Sequence, residues 1–331
     1  MDVDFSSSST VSIPKGETSA TFTVTAIDDS VYEGDETIII EISSIDNPGV
    51  YISSSSSVTL TITEDETVPT VSLQSSGNSI AEESGNSITF TASIDQVASV
   101  DLSVTISTTV NSRSRAYTAN LPTSISITIP AGSLSGTATF TPTDNNSYDG
   151  TTNVSFAVSS VVGSGAVGNT ISIHSSAAEE FIGIVEAESA PTVSLNASDA
   201  SVAEDGSVIT LTATLTGSTY TDTTVVLGGS GTATNTSDYT IANITIAAGE
   251  TSGTASFTPI EDNLYEGVTE NAIISISSVS GGGATESGDQ SVTIKITDAD
   301  SAPTVTLTSN VTSVAEDGGT GTVTATLSIA T

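Results

Sequence analysis

Apolar and polar residues alternate one for one along many short stretches of this chain. In SVTLTIT at 57–63, Val58, Leu60 and Ile62 share one face, and SVTIKIT at 291–297 repeats the pattern. ATFTVTA at 20–26, TATFTP at 137–142 and TASFTP at 254–259 alternate in the same way. A period of two places successive side chains on opposite faces of an extended strand, one face packed and one wet. Threonine fills most of the wet positions, and its branched β-carbon suits a pleated surface. Helical periodicity is absent throughout. Pro-Lys-Gly at 14–16, Pro-Ala-Gly at 130–132 and Ala-Ala-Gly at 247–249 punctuate the strands as turns. The pattern predicts an all-β chain of Ig-like antiparallel β-sandwiches.

Two signatures recur along it. An acidic block reads DDSVYEGDE from Asp28, DNNSYDGTT from Asp144 and EDNLYEGVTE from Glu261. Its tyrosines, Tyr32, Tyr148 and Tyr265, recur about every 116 residues, too long for a solenoid turn of roughly 20–50 residues and long enough for a unit with its own core. PTV(S/T)L followed by AE(E/D) recurs from Pro69, Pro191 and Pro303. Each unit closes on a strand, an acidic tripeptide (EDE at 64–66, EAE at 186–188, DAD at 298–300) and then a proline that stops the strand from running on. The expected organisation is a partial repeat at 1–66 lacking its opening strands, complete repeats at 67–188 and 189–300, and opening strands of a further repeat at 301–331. The very short acidic and proline linkers imply that neighbouring repeats touch. Two explanations of the ends stay open. The chain is a window on a longer array, or residues 301–331 complete the 1–66 unit of an identical chain head to tail.

Composition narrows the partners. The formal net charge is −35, with only Lys15, Arg113, Arg115 and Lys295 as bases. Four scattered cations make no phosphate-binding patch, which excludes nucleic acid, and an anionic membrane surface repels the chain. There is no cysteine, hence no disulfide or thiolate chemistry. No apolar run approaches the ~20 residues of a membrane span, and no signal-peptide pattern precedes the repeats. His174 is the only histidine, in the alternating segment ISIHSS, and no GxSxG elbow occurs, so an enzyme has little support. Repeated carboxylate pairs suit a structural ion better than one glycosidase cleft.

The acids themselves are concentrated. Most of the 39 acidic residues fall in the block, the tripeptide and the AE(E/D) turn, while the wet strand faces carry serine and threonine. Like charges gathered in one place repel unless neutralised. Hard divalent cations accept carboxylate oxygens; calcium takes roughly 6–8 at flexible geometry, whereas magnesium prefers a smaller octahedral shell. Without histidine or cysteine clusters, zinc, copper and iron are disfavoured.

VAEDG at Val202 and Val314, SDY at Ser237, DDSVYEGDE at Asp28 and ITDAD at Ile296 resemble Calx-beta domains, calcium-binding sandwich repeats, over the whole chain. The resemblance implies Ca2+ as cofactor. In the third unit it implies the ligands Glu204, Asp238, Glu261, Asp262, Glu266, Glu270, Asp298 and Asp300, enough for at least two ions. In the first unit it implies Asp4, Asp28, Asp29, Glu33, Glu36, Glu64 and Glu66, with Glu316 as the surviving equivalent of the missing AE(E/D) glutamate. The second unit departs from the pattern: Ala116 replaces the SDY aspartate beside Arg115, and Asn145 replaces an acid. It retains Glu82, Asp144, Asp149, Glu186 and Glu188, implying a weaker or emptier site. Spellings such as SVAEDGGTGTVTATLS are similar to repeats of very large adhesins of gliding bacteria. That implies a calcium-stiffened stalk or filament at the cell surface, supporting attachment and gliding. A donor-strand filament of identical chains and a calcium-sensing module are the alternatives, and the surface or glycan ligand of the parent protein is unknown.

Overall fold

The computed structural model describes residues 4–54, 56–111, 121–164, 167, 171–262 and 264–329. Among them the chain is built of strands, with a single 3-10 turn at Glu82–Ser84. They gather into two compact units, residues 1–143 with 152–185, and residues 144–151 with 186–331.

The first unit opens with two separate ribbons. β1 (Phe5–Ser7) pairs antiparallel with β2 (Val24–Ala26), and β3 (Glu36–Glu41) with β4 (Ser57–Ile62). A sandwich follows, from β5 (Thr70–Ser75), β6 (Ser79–Ala81), β7 (Ile88–Ile94), β8 (Leu102–Val110), β9 (Ser124–Ile129), β10 (Ser135–Phe140), β11 (Thr152–Val162), β12 (Ser172–Ile173) and β13 (Glu179–Val185). One sheet runs β10-β7-β5-β12 and the other β6-β13-β11-β8-β9. Alternation fixes what faces inward. Ile88, Phe90, Ala92 and Ile94 of β7 are buried, as are Leu102, Val104 and Ile106 of β8. Phe156 packs against Phe90 at 4.6 Å and Phe140 at 5.2 Å between ring centroids. Each large apolar side chain so buried contributes about 1.5–3 kcal/mol.

The second unit repeats the plan with β14 (Thr192–Ala197), β15 (Ser201–Ala203), β16 (Ile209–Leu215), β17 (Thr223–Gly231), β18 (Tyr239–Ile241), β19 (Ile244–Ile246), β20 (Ser252–Pro259), β21 (Glu270–Ser280), β22 (Thr285–Glu286) and β23 (Ser291–Thr297). Its sheets run β18-β20-β16-β14-β22 and β15-β23-β21-β17-β19. Tyr239 stacks on Phe257 in the core, 4.8 Å between centroids. A final hairpin, β24 (Val305–Ser309) with β25 (Val323–Leu327), stands outside these sheets.

Equal patterns are not equally buried. Ile294 and Ile296 of β23 are 0% and 1% exposed, while Val58 and Leu60 of β4 are 53% and 39% exposed. The expectation of a packed face therefore fails for β4, whose sheet among the described residues is the β3-β4 ribbon alone, where β23 belongs to a sheet of five strands. For the same reason only Val24–Ala26 of the expected strand 20–26 is formed: its counterpart β20 is held between β16 and β18, whereas β2 has β1 alone. The segment containing His174 is also shorter than its alternation predicts. β12 ends at Ile173, and the His174 Nδ1 accepts the Ser176 N–H at 3.3 Å in the turn beyond.

Candidate metal centres

Strand register brings the acids of the second unit together. β15 runs parallel to β23 with Ala203 opposite Thr297, so the next residues, Glu204 and Asp298, leave the sheet side by side; the Glu204 N–H donates to the Thr297 carbonyl at 3.1 Å. β21 begins at Glu270, opposite Ile296. β18 begins at Tyr239, opposite Pro259, which places Asp238 at the end of β20, where the Ile260 N–H donates to its carbonyl at 3.0 Å. Asp238, Glu266 and Glu270 each offer a carboxylate oxygen within 4.8 Å of the others.

The first unit does the same with fewer strands. Glu36 starts β3 opposite Ile62, and Asp4 precedes β1, its carbonyl accepting the Ile27 N–H at 2.9 Å. Asp4, Glu33 and Glu36 form one group of oxygens within 4.8 Å, and Asp28, Asp65 and Glu66 form another. These acids line a cleft of ≈ 50 Å³. Asp65 was not among the expected ligands: the middle tripeptide residue is alanine in the other two repeats, so nothing in the repeat comparison singled it out.

The first acid of each tripeptide is a clamp. Glu64 Oε2 accepts the N–H groups of Glu33 (2.5 Å) and Gly34 (2.6 Å), and its Oε1 accepts those of Asp65 and Glu66 (both 3.1 Å). Glu186 does the same to Asp149 (2.7 Å) and Gly150 (3.0 Å), and to Ala187 and Glu188. Asp298 holds Glu266 (2.8 Å), Gly267 (2.9 Å) and Asp300 (2.8 Å). The N–H groups are presented because Gly34, Gly150 and Gly267 turn the loop in the left-handed region, at φ of 75°, 77° and 69°. Amide donors favour the charged carboxylate. The Gly267 N–H, first among them, holds Asp298 below the usual range against its partial burial. For Glu64, burial raises the value, but the hydrogen bond shared with Glu66 and the amides of Glu33 and Gly34 outweigh it.

The second acid of the pair in each block shapes the loop. Asp29 Oδ1 accepts the Val31 N–H at 2.7 Å, Asp262 Oδ1 the Leu264 N–H at 2.9 Å, and Asn145 Oδ1 the Ser147 N–H at 2.8 Å. Asn145 thus keeps the turn while its other terminus, now an NH2, donates to Asp149 at 3.2 Å. The substitution preserves the shape and removes a ligand oxygen. Ala116 and Arg115 lie outside the described residues.

Several individual carboxylate oxygens are buried without a hydrogen-bond partner among the described residues. Glu188 Oε2, Glu204 Oε2, Glu270 Oε2 and Asp300 Oδ2 are in this position, and Glu204 is 7% exposed. Burial, then the charges of Asp298, Glu266, Glu261 and Asp262, pushes Glu204 up to about 7. Burial, then Asp238 and Glu266, does the same to Glu270, also to about 7. Burial also raises Glu266 and Asp300, and raises Glu36 together with its contact to Asp4. Glu66 and Glu188 reach about 7 first through the hydrogen bond each shares with its tripeptide partner, Glu64 or Glu186, while burial and Glu186 raise Asp149 to about 6. Orphaned buried carboxylate oxygens with no compensating charge fit a hard cation. Glu82 of the first unit is buried at 3% exposure; Asp144, in the second unit, accepts the Asn146 N–H at 2.7 Å. Glu261 lies exposed beside Asp262, and Glu316 sits in an exposed turn, where its hairpin has no second sheet to cover it.

β-Sandwich units with acidic loops at matching strand ends define the class of this protein. The Calx-beta domain family matches residues 4–66 and 186–300, more than half of the chain, and the chain belongs to that family as tandem repeats. Residues 67–185, which hold Asn145, fall outside the matched segments. No curated protein matches the chain. Similar solved structures include CBD12 from CALX1.2 (11% identity, 69% of this chain and 98% of that chain, TM-score 0.30). The calcium binding domain CBD12 of CALX1.1 is similar at 10% identity, covering 66% and 96%, with a TM-score of 0.29. The Yersinia pseudotuberculosis adhesin InvE is similar at 13% identity, covering 68% and 58%, with a TM-score of 0.30.

Proposed function

We propose that this chain is a calcium-stiffened segment of an extracellular stalk or filament, part of a large cell-surface adhesin that supports attachment and gliding, and not an enzyme. The observation that carries the reading is the set of buried carboxylate oxygens without partners, Glu204, Glu270 and Asp300, next to the Pro303 linker. Calcium, when bound, would supply the positive charge that these carboxylates lack. Glu204, Asp238, Glu266, Glu270 and Asp300 would hold it in the second unit, and Asp4, Asp28, Glu33, Glu36, Asp65 and Glu66 in the first. Asp298 and Glu64 hold the loops by their amides, so that the carboxylates following them in the tripeptides are fixed at the start of the linker. The proposed repeats are 1–66, 67–188, 189–300 and 301–331. Membership in the Calx-beta family supports the ion; the repeat spellings support the adhesin.

Ligand binding stabilises only the state that holds the ligand, so stiffness requires free calcium above the dissociation constant. Small-angle scattering of the full chain should show a longer, less flexible particle in millimolar calcium than in chelator. E204Q/E270Q should lose part of that response and part of the calorimetric calcium uptake. An absence of calcium heat, or identical scattering in both conditions, would sink the reading.

A further inference from the structure

The tyrosine of the acidic block does more than mark the repeat. In the first unit Tyr32 is 5% exposed and belongs to the same core cluster as Ala98. Its backbone forms a parallel bridge there: the Tyr32 N–H donates to the Val97 carbonyl at 2.8 Å, and the Ser99 N–H donates to the Tyr32 carbonyl at 3.1 Å. Gln96 Nε2 adds a bond to the Ser30 carbonyl at 2.6 Å. In the second unit, loop 144–151 does the same against the segment between β16 and β17. The Tyr148 N–H donates to the Ser218 carbonyl at 3.0 Å, and the Tyr220 N–H donates to the Tyr148 carbonyl at 3.3 Å. Ser147 and Ser218 hydroxyls meet at 2.9 Å, and Ser218 Oγ donates to the Asn146 carbonyl at 3.0 Å. The ring of Tyr148 lies over Gly283, where a β-carbon would stand 2.5 Å from its Cε1.

The receiving segment is held in the same way in both units, by residues outside the carboxylate groups. The Gly132 N–H donates to the Ala98 carbonyl at 3.0 Å, and the Gly249 N–H to the Thr219 carbonyl at 2.8 Å. Asp101 Oδ1 accepts the Ala131 N–H at 2.8 Å, and Asp222 Oδ1 the Ala248 N–H at 2.9 Å. The receiving triplets, Val97-Ala98-Ser99 and Ser218-Thr219-Tyr220, differ at every position, as a bridge made by backbone on both sides allows.

We propose that the acidic loop of each repeat is a docking tongue: its tyrosine adds a one-residue parallel bridge to the segment between the third and fourth strands of the repeat that follows. Tyr265 is the corresponding tongue for a further repeat of the same kind. The proposal rests on the repeat boundaries given above but not on calcium, since every contact it uses is made by groups other than the carboxylates of the clusters.

The full chain has no cysteine, so S147C/S218C places a single thiol pair at the bridge. Oxidation in the folded chain should close the disulfide at least tenfold faster than in denaturant, in calcium, in chelator or in both. Amide exchange should show protection at Tyr32, Ser99, Tyr148 and Tyr220. In Y148P, which removes the N–H donated to Ser218, the disulfide should form at least tenfold more slowly. Closure no faster than in denaturant under both conditions, or exchange of all four amides at unfolded-chain rates, would overturn the tongue. Loss of calcium binding with fast closure retained would leave it standing and overturn the ion reading alone.

Discussion

At the scale of single residues, Glu204 and Glu270 would tie the proposed ion binding to pH. Burial first, and then neighbouring carboxylates, raises both to about 7 from the ordinary 4.5. The folded, ion-free protein therefore binds more protons than the unfolded chain between these values, and its stability must fall as pH rises. Their contribution is fully present below about 4.5 and is lost as pH passes about 7. In chelator, the melting temperature of the chain should drop between pH 5 and pH 8, on the order of 5 °C, the shift that about 1 kcal/mol produces in a domain of about 100 residues. Calcium, which competes with those protons, should raise the melting temperature more at pH 8 than at pH 5. E204Q/E270Q should flatten the chelator slope; a slope unchanged in that variant would assign it to other groups.

At the scale of elements, the decisive device is a parallel pair that a linear reading misses. Alternation in SVTIKIT and the AEDG turn are both visible in the sequence. That Ser201–Ala203 lies parallel against Lys295–Thr297 is not, because the partners are some 90 residues apart and their apolar patterns suit many pairings. Register then decides which acids meet. It also separates two roles that look alike in sequence: Asp298 faces three backbone amides while Asp300 has a buried oxygen without one. Both are aspartates of one DAD string, and only the path of the chain around Gly267 distinguishes them. Asp298→Asn keeps the shape but exchanges an acceptor oxygen for a donor. It should increase amide exchange at Glu266 or Gly267 by at least tenfold while core amides such as Ile274 stay protected. Unchanged exchange at both loop amides would show that the clamp does not hold the loop.

At the scale of the whole molecule, the tandem repetition was readable because tyrosines, prolines and acids recur at similar intervals. The burial of each strand was not, since period two names a face without saying whether anything covers it, as β4 and β23 show. The tongue contacts were equally hidden, for backbone bridges leave no residue signature. One feature of the sandwich bears on a chain pulled from its two ends. In the second unit's sandwich the early strand β15 runs parallel to β23, the last strand of that sandwich, and β14 runs parallel to β22. Tension draws the early strand toward its own beginning and the late strand toward its own end. In a parallel pair these pulls are opposed along the strand axis, so the bonds from Ala200 to Glu204 are sheared together and do not open one after another. Forced unfolding is governed by the unfolding barrier and not by equilibrium stability. Val202→Pro, which deletes an N–H within the pair, should therefore lower the rupture force of this sandwich in single-molecule pulling by a larger fraction than it lowers the free energy of unfolding. Equal fractional losses would mean that the load is borne elsewhere, whereas the expected imbalance would make this three-residue pairing the tensile seam of the sandwich.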